Sequence, residues 1–174
     1  MKAPVIWLTG IPGSGKTTLA IDLEKYYQKN SLPVEILDGD EIRKTLSKDL
    51  GFSPEDRKEH NRRVIFVAQI LSKNGVTTII PFILPYRETR DFARKEIPNF
   101  VEVWVKTSVD ECIKRDPKGL YKKALAGEIK NLTGLQAPYE EPQNAELILD
   151  TEKQNVEESV EIILSTVKKL GYLN

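Results

Sequence analysis

A chain of 174 residues has the length for one sizeable core and is short for two, so one domain over residues 1–174 is expected. Its 26 lysines and arginines balance 26 aspartates and glutamates, leaving no overall field to draw it to nucleic acid or a membrane surface; an anionic partner has to be held by a local cluster. One cysteine, Cys112, excludes an internal disulfide and a cysteine-based zinc site, and the lone His60 cannot build a metal centre by itself, a usage that fits a reducing compartment.

The opening residues, MKAPVIWLTG, run straight into a glycine-rich loop without room for a cleavable leader, and no apolar run approaches the length of a membrane span. The expectation is a cytoplasmic protein with no nucleic-acid and no membrane partner. A first strand is expected over Val5–Thr9, where β-branched and aromatic residues form an apolar run. In the stretch that follows, TGIPGSGKTTLA, Gly10 and Gly15 are separated by four residues and succeeded by Lys16 and Thr17. That is the phosphate-cradling loop pattern. Its backbone amides, from Gly10 through Ile11, Pro12, Gly13, Ser14, Gly15, Lys16, Thr17 and Thr18, are set to surround a nucleotide triphosphate at a helix start, although proline contributes no amide hydrogen. Lys16 can reach the outer phosphates, and the Thr17 hydroxyl suits Mg²⁺, which prefers oxygen ligands. A glycine-rich turn without ligand is the plainer reading; the position between an expected strand and an expected helix over Lys16–Lys29 favours nucleotide binding.

A second strand over Val34–Asp38 leads into LDGDEIRKTL, which sets Asp38 and Asp40 on either side of Gly39 at the carboxyl edge of the sheet. Two readings stand level here. Asp38 can hold Mg²⁺ while Asp40 accepts a proton from an attacking hydroxyl, or Asp-Gly-Asp is a turn with a helix cap. In GFSPEDRKEHNRRVIFVAQIL, Ser53 and Pro54 suit a helix start, and the expected helix over Pro54–Asn74 carries Arg57, His60 and Asn61 on neighbouring positions of one face. With Arg43 three residues beyond Asp40, that face is read as an acceptor-binding wall rather than a solvated helix start.

Strands over Val76–Phe82, Val101–Val105 and Glu146–Asp150 alternate with helices over Tyr86–Lys95, Ser108–Arg115 and Asn155–Leu170. Five strands separated by helix-length segments imply crossovers, hence a three-layer α/β fold around a five-stranded parallel sheet with ligands at its carboxyl edge. The segment Asp116–Pro142, rich in Lys, Gly and Pro, interrupts the alternation; a mobile cover is favoured over an ordinary surface excursion. A switch-type GTPase would carry an Asn-Lys-x-Asp base-reading run, which the chain lacks, and turnover separates a non-catalytic nucleotide-binding module from an enzyme.

The runs WLTGIPGSGKTT, LDGDEIR, GFSPEDR, PYRETR, RDPKGLYKKALAGEI and PYEEP together resemble the adenylylsulfate kinases, which transfer the γ-phosphate of ATP to the 3′-hydroxyl of adenosine 5′-phosphosulfate. The resemblance implies a P-loop kinase fold with a basic lid at about residues 115–142, and ATP and Mg²⁺ as cofactors. It assigns Asp40, Arg43, Phe52, Arg57, His60, Ile83 and Leu132 to the acceptor, with Phe52 stacking on its adenine. Lys118 falls at a lid position near the phosphosulfate. On this reading Lys16, Asp38, Asp40 and Lys118 carry catalysis, Asp40 is the base, Thr17 and Asp38 organise the metal, and Arg115 closes with Lys118 over the transferring group. A homodimer is the candidate assembly, and a related kinase for another small nucleotide or hydroxyl acceptor is the alternative. The chain departs from the family pattern at His60, where Asn is usual, at Asn61 for Ile, at Leu132 for a second stacking Phe, and at Leu84 for a Ser sometimes described as a phosphorylated intermediate.

Overall fold

The computed structural model of the protein describes residues 3–173. Its centre is β1 (Val5–Thr9), whose five residues are all buried. β1 lies parallel between β3 (Thr77–Ile80) and β4 (Phe100–Lys106), while β2 (Val34–Ile36) and β5 (Leu147–Asp150) lie parallel at the edges, in the order β2-β3-β1-β4-β5. From β1 the chain first builds one side of the sheet and then crosses to the other. The order therefore reverses beside β1, and an open α/β sheet binds its ligand in the crevice at that point.

Alternation along β1 explains the layers. Val5 and Trp7 face α3 (Pro54–Lys73) and α4 (Arg87–Glu96), in a cluster completed by Val64, Ile65, Ala68, Ile80 and Phe82. Ile6 and Leu8 face the opposite way, toward α1 (Lys16–Lys29) and α7 (Val156–Lys169), with Leu19, Leu23, Ile79, Val103 and Ile163. Each fully buried aliphatic side chain of this kind contributes roughly 1.5–3 kcal/mol over exposure.

The three-layer fold with its parallel sheet is as the sequence leads one to expect, but several boundaries differ. β2 stops at Ile36 rather than Asp38, because Asp38 leaves the strand to cap α2 (Gly39–Lys44), accepting from the backbone amides of Asp40 and Glu41. β3 ends at Ile80, before Pro81, which has no N–H to continue a ladder. α5 (Val109–Arg115) is capped by Ser108, α3 by Ser53 with Pro54 in its first turn, and α7 by a reciprocal Asn155–Glu158 box.

The Lys- and Gly-rich segment after α5 is not a bare loop. It forms α6 (Leu120–Leu125), begun by the Asp116 carboxylate, which accepts from the amides of Tyr121 and Lys122. It also has an apolar cluster of its own, in which Tyr121, Ala124 and Leu132 pack with Cys112 and with Ile11 of the glycine-rich loop. No helix among the described residues is long and apolar enough to cross a membrane.

Candidate functional site

The turn from β1 into α1 is tight enough to require glycine. A Cβ on Gly10 would stand 2.5 Å from the Val105 carbonyl oxygen, and Gly13 has a φ of +80°, in the left-handed region. Lys16 is folded back over this loop. Its Nζ donates to the carbonyls of Gly10 (2.8 Å) and Ile11 (2.7 Å) and to Ser14 Oγ (3.3 Å), so the ammonium is held at the mouth of the loop by backbone oxygens. Burial pushes its pKa down to about 7, with Lys118 pulling the same way and Cys112 opposing. Thr17 and Thr18 stay exposed on the cleft side.

The loop forms one end of a cleft of about 1250 Å³. Opposite it stand Asp38, Asp40, Arg43, Phe52, Arg57 and His60, and Ile83, Lys118 and Leu132 line it as well. Of the nucleotide-loop residues expected to face a ligand, Gly10 and Ile11 do not reach the cleft. The Ile11 side chain packs instead with Tyr121, Ala124 and Leu132, and its carbonyl is taken by Lys16.

The half of the cleft opposite the loop is tied together by long-range polar contacts. Lys118 Nζ bonds Asp40 Oδ2 at 2.9 Å, joining residues 78 apart in sequence, and this bond raises the Lys118 pKa. Arg57 engages all three of its guanidinium nitrogens within the protein. Nε donates to the Phe52 carbonyl (3.0 Å), Nη1 to Thr133 Oγ1 (2.8 Å) and Nη2 to the Asn131 carbonyl (3.0 Å), so it links α3 to the segment following α6. Arg43 donates to the Gly51 carbonyl and lies 4.5 Å over the Phe52 ring, which is 68% exposed and so available to a flat ligand.

His60 and Asn61 are both buried, not surface groups of a charged helix start. The imidazole stacks on Phe82, with centroids 5.2 Å apart and planes 3° off parallel, and its Nδ1 has no hydrogen-bond partner among the described residues. Burial, with help from Arg43 and Arg63, lowers its pKa to about 4, so it enters the cleft wall as a neutral ring. Ile83 contributes its carbonyl to the Thr9 hydroxyl, and Leu84 is buried with a φ of +45°, an unusual conformation for a residue with a branched γ carbon.

Arg115 does not reach over the cleft. It pairs with Glu111 and donates to the Thr151 hydroxyl (3.1 Å) and carbonyl (2.9 Å), while Thr151 in turn donates to the Ser14 carbonyl. Thr151, Gln154 and Val156, after β5, therefore wall the loop end of the cleft beside Arg115. In sequence only their place at a strand's carboxyl end marks them.

Among the described residues no three His, Cys, Asp or Glu side chains cluster as a metal cage. The donors present are a free Thr17 hydroxyl and the Asp38 carboxylate, whose Oδ1 serves the α2 cap and whose Oδ2 has no such duty. One or two protein oxygens completed by phosphate oxygens and water is how Mg²⁺ is commonly held, so the donor set fits that ion.

The model of the adenylylsulphate kinase family matches residues 2–150. A probable adenylyl-sulfate kinase of Pyrococcus abyssi is 51% identical over 173 residues, 99% of either chain. An adenylyl-sulfate kinase of Staphylococcus carnosus is 53% identical over 165 residues, covering 94% of this chain and 83% of the other. Among solved structures, that of the Mycobacterium tuberculosis APS kinase in complex with AMPPNP and APS superposes with a TM-score of 0.92 at 38% identity, over 96% of this chain and 98% of that one.

Proposed function

The chain belongs to the adenylylsulphate kinase family, and on that premise we propose that it transfers the γ-phosphate of ATP to the 3′-hydroxyl of adenosine 5′-phosphosulfate, giving 3′-phosphoadenosine 5′-phosphosulfate and ADP. The observation that carries the reading is one continuous cleft, with a triphosphate loop at one end and the Asp40, Phe52 and His60 wall at the other. A donor and an acceptor bound there have their reacting atoms drawn into one space, which converts the bimolecular step into a local one.

Lys16 and the loop amides hold the β- and γ-phosphates, and Lys16 adds charge where the transition state accumulates it. Thr17 and Asp38 would hold Mg²⁺, which when bound neutralises phosphate charge. Asp40 is the base that takes the acceptor's hydroxyl proton. Its ion pair with Lys118 is exposed on both sides, so it separates at little cost and leaves Lys118 free to turn toward the transferring group. Phe52 offers a face to the acceptor's purine, while Arg43 supplies positive charge beside it. The segment over residues 115–142 acts as the lid of one kinase domain, carrying Lys118 in and excluding water. Arg115 serves from the nucleotide wall through Thr151 rather than from above the reaction.

The test is turnover with ATP and Mg²⁺ against adenosine 5′-phosphosulfate, adenosine 5′-phosphate, shikimate and gluconate, with products identified by mass. A kcat/KM for adenosine 5′-phosphosulfate at least about a hundredfold above the others is expected. Preference for another acceptor refutes the assignment.

A further inference from the structure

α4 reads in sequence as a solvated helix, RETRDFARKE, yet it hides an arginine. Arg90 is 3% exposed and does not line the cleft, and all three of its nitrogens are engaged. Nη1 donates to the Leu84 carbonyl at 2.6 Å, Nη2 donates to the Glu140 carbonyl, and Nε lies 3.2 Å from Glu102 Oε1, close enough for an ion pair though off the hydrogen-bond line. Glu102, on β4, is equally buried and also pairs with Arg94. A charge so placed is costly without a full set of partners, so its position is defined by all of them together.

The two carbonyls belong to segments with different duties. Ile83, Leu84 and Pro85 form the cleft wall on the acceptor side, and Tyr139–Glu141 is the root by which the segment after α6 rejoins the body. Neighbouring bonds run along the same seam. The Glu140 amide donates to the Pro85 carbonyl (2.9 Å), and the Arg87 amide donates to the Glu140 carboxylate (2.7 Å). The Thr9 hydroxyl donates to the Ile83 carbonyl and receives the Tyr139 hydroxyl at 2.9 Å, which brings in the last residue of β1 before the glycine-rich loop. Leu84 sits at a φ of +45° in the middle of this seam, a conformation that persists in a leucine only where the surroundings hold it.

We propose that Arg90 is a positioning residue that clamps the acceptor wall to the root of the lid, so that the wall keeps its shape while the rest of the lid moves. The inference rests on the acceptor assignment for its kinetic consequence and on the geometry alone for its structural one. Guanidinium is the side chain the task requires, because its donors diverge in one plane toward fixed acceptors, whereas an ammonium at the end of a lysine keeps the charge for Glu102 but cannot span both carbonyls.

The experiment compares the wild-type chain with Arg90→Lys. Expected is a rise of roughly ten- to a hundredfold in KM for adenosine 5′-phosphosulfate with KM for ATP within about twofold, since the wall shifts and the nucleotide loop does not. Amide exchange of the substrate-free protein gives the second reading: the Glu140 amide should exchange at least about tenfold faster, with the amides of β1 and α1 unchanged. Equal changes in both KM values, or an unchanged Glu140 amide, overturn the clamp. If the wild-type chain does not phosphorylate adenosine 5′-phosphosulfate, the functional assignment fails while the exchange result still decides for or against the clamp. Should Arg90→Lys not fold, the double variant Arg90→Met with Glu102→Met removes both buried charges at similar volume and is read in the same way; global unfolding of both overturns the proposal, since Arg90 would then support the whole core rather than this seam.

Discussion

Nucleotide binding should draw a proton from solution, and Lys16 is the reason. In the free loop its ammonium is buried against the Gly10 and Ile11 carbonyls with a pKa of about 7. Phosphate oxygens arriving beside it favour the charged form and return the pKa toward or above the ordinary lysine value. At pH 8 such a group is about nine-tenths neutral before binding and charged after it, so about 0.9 proton is taken up per nucleotide, falling to about 0.1 at pH 6. The sign follows directly: because the bound pKa is the higher one, apparent affinity weakens as pH rises above 7, by up to about tenfold per unit. The assay is calorimetric titration with a non-hydrolysable ATP analogue at pH 8, where phosphate groups with a pKa near 6 are already ionised, in two buffers of different protonation enthalpy. The slope of observed heat against buffer enthalpy counts protons, and Lys16→Met should bring it close to zero. A wild-type slope near zero at pH 8 would mean that Lys16 is already charged in the free loop, and would overturn the proton uptake.

Folding stability should fall in acid through His60. Its folded pKa of about 4 lies below the unfolded 6.5, so the unfolded chain protonates first as pH drops through 6.5. The sign therefore gives a loss of about 2.5 kcal/mol between pH 7 and pH 4.5, which His60→Asn should remove in urea titrations. Asp40→Asn should lower kcat by roughly 10²–10⁴ with the melting temperature nearly unchanged, since its one ion pair is exposed; a loss confined to KM would make Asp40 a binding group instead. Leu84→Ser should add no activity and cost roughly 3 kcal/mol of stability, because the buried leucine supplies packing and not a nucleophile. No phosphoprotein should form from γ-labelled ATP without acceptor, and a chemically competent one would contradict single-step transfer.

The parts of this molecule legible in sequence are those whose cause is local. α1 begins and ends as expected, at Lys16 and Lys29, because the glycine-rich loop fixes its start. The buried strands announce themselves as apolar runs. α2 and α6 have only six residues each, and α6 is begun by a turn and stabilised by an apolar cluster reaching back to Ile11, more than a hundred residues earlier. No window of sequence holds that information. The same holds for single side chains. The spacing sets His60 on one face with Arg57, but the neutral state of His60 comes from burial against Phe82, and the bonds of Arg57 to Asn131 and Thr133 join residues more than seventy positions apart. Arg90 carries no sequence signal of burial at all, since what neutralises it is Glu102, on a strand where an apolar residue would have served the periodicity equally well.

The central claim is that this cleft phosphorylates the 3′-hydroxyl of adenosine 5′-phosphosulfate. The most direct measurement is nuclear magnetic resonance of the product formed from ATP, Mg²⁺ and that acceptor, with ADP quantified in the same tube. One new phosphate is expected, coupled to the ribose 3′ proton of the acceptor and formed in equal amount with ADP. Phosphate on another position, or ADP accumulating with free phosphate and an unmodified acceptor, would contradict it.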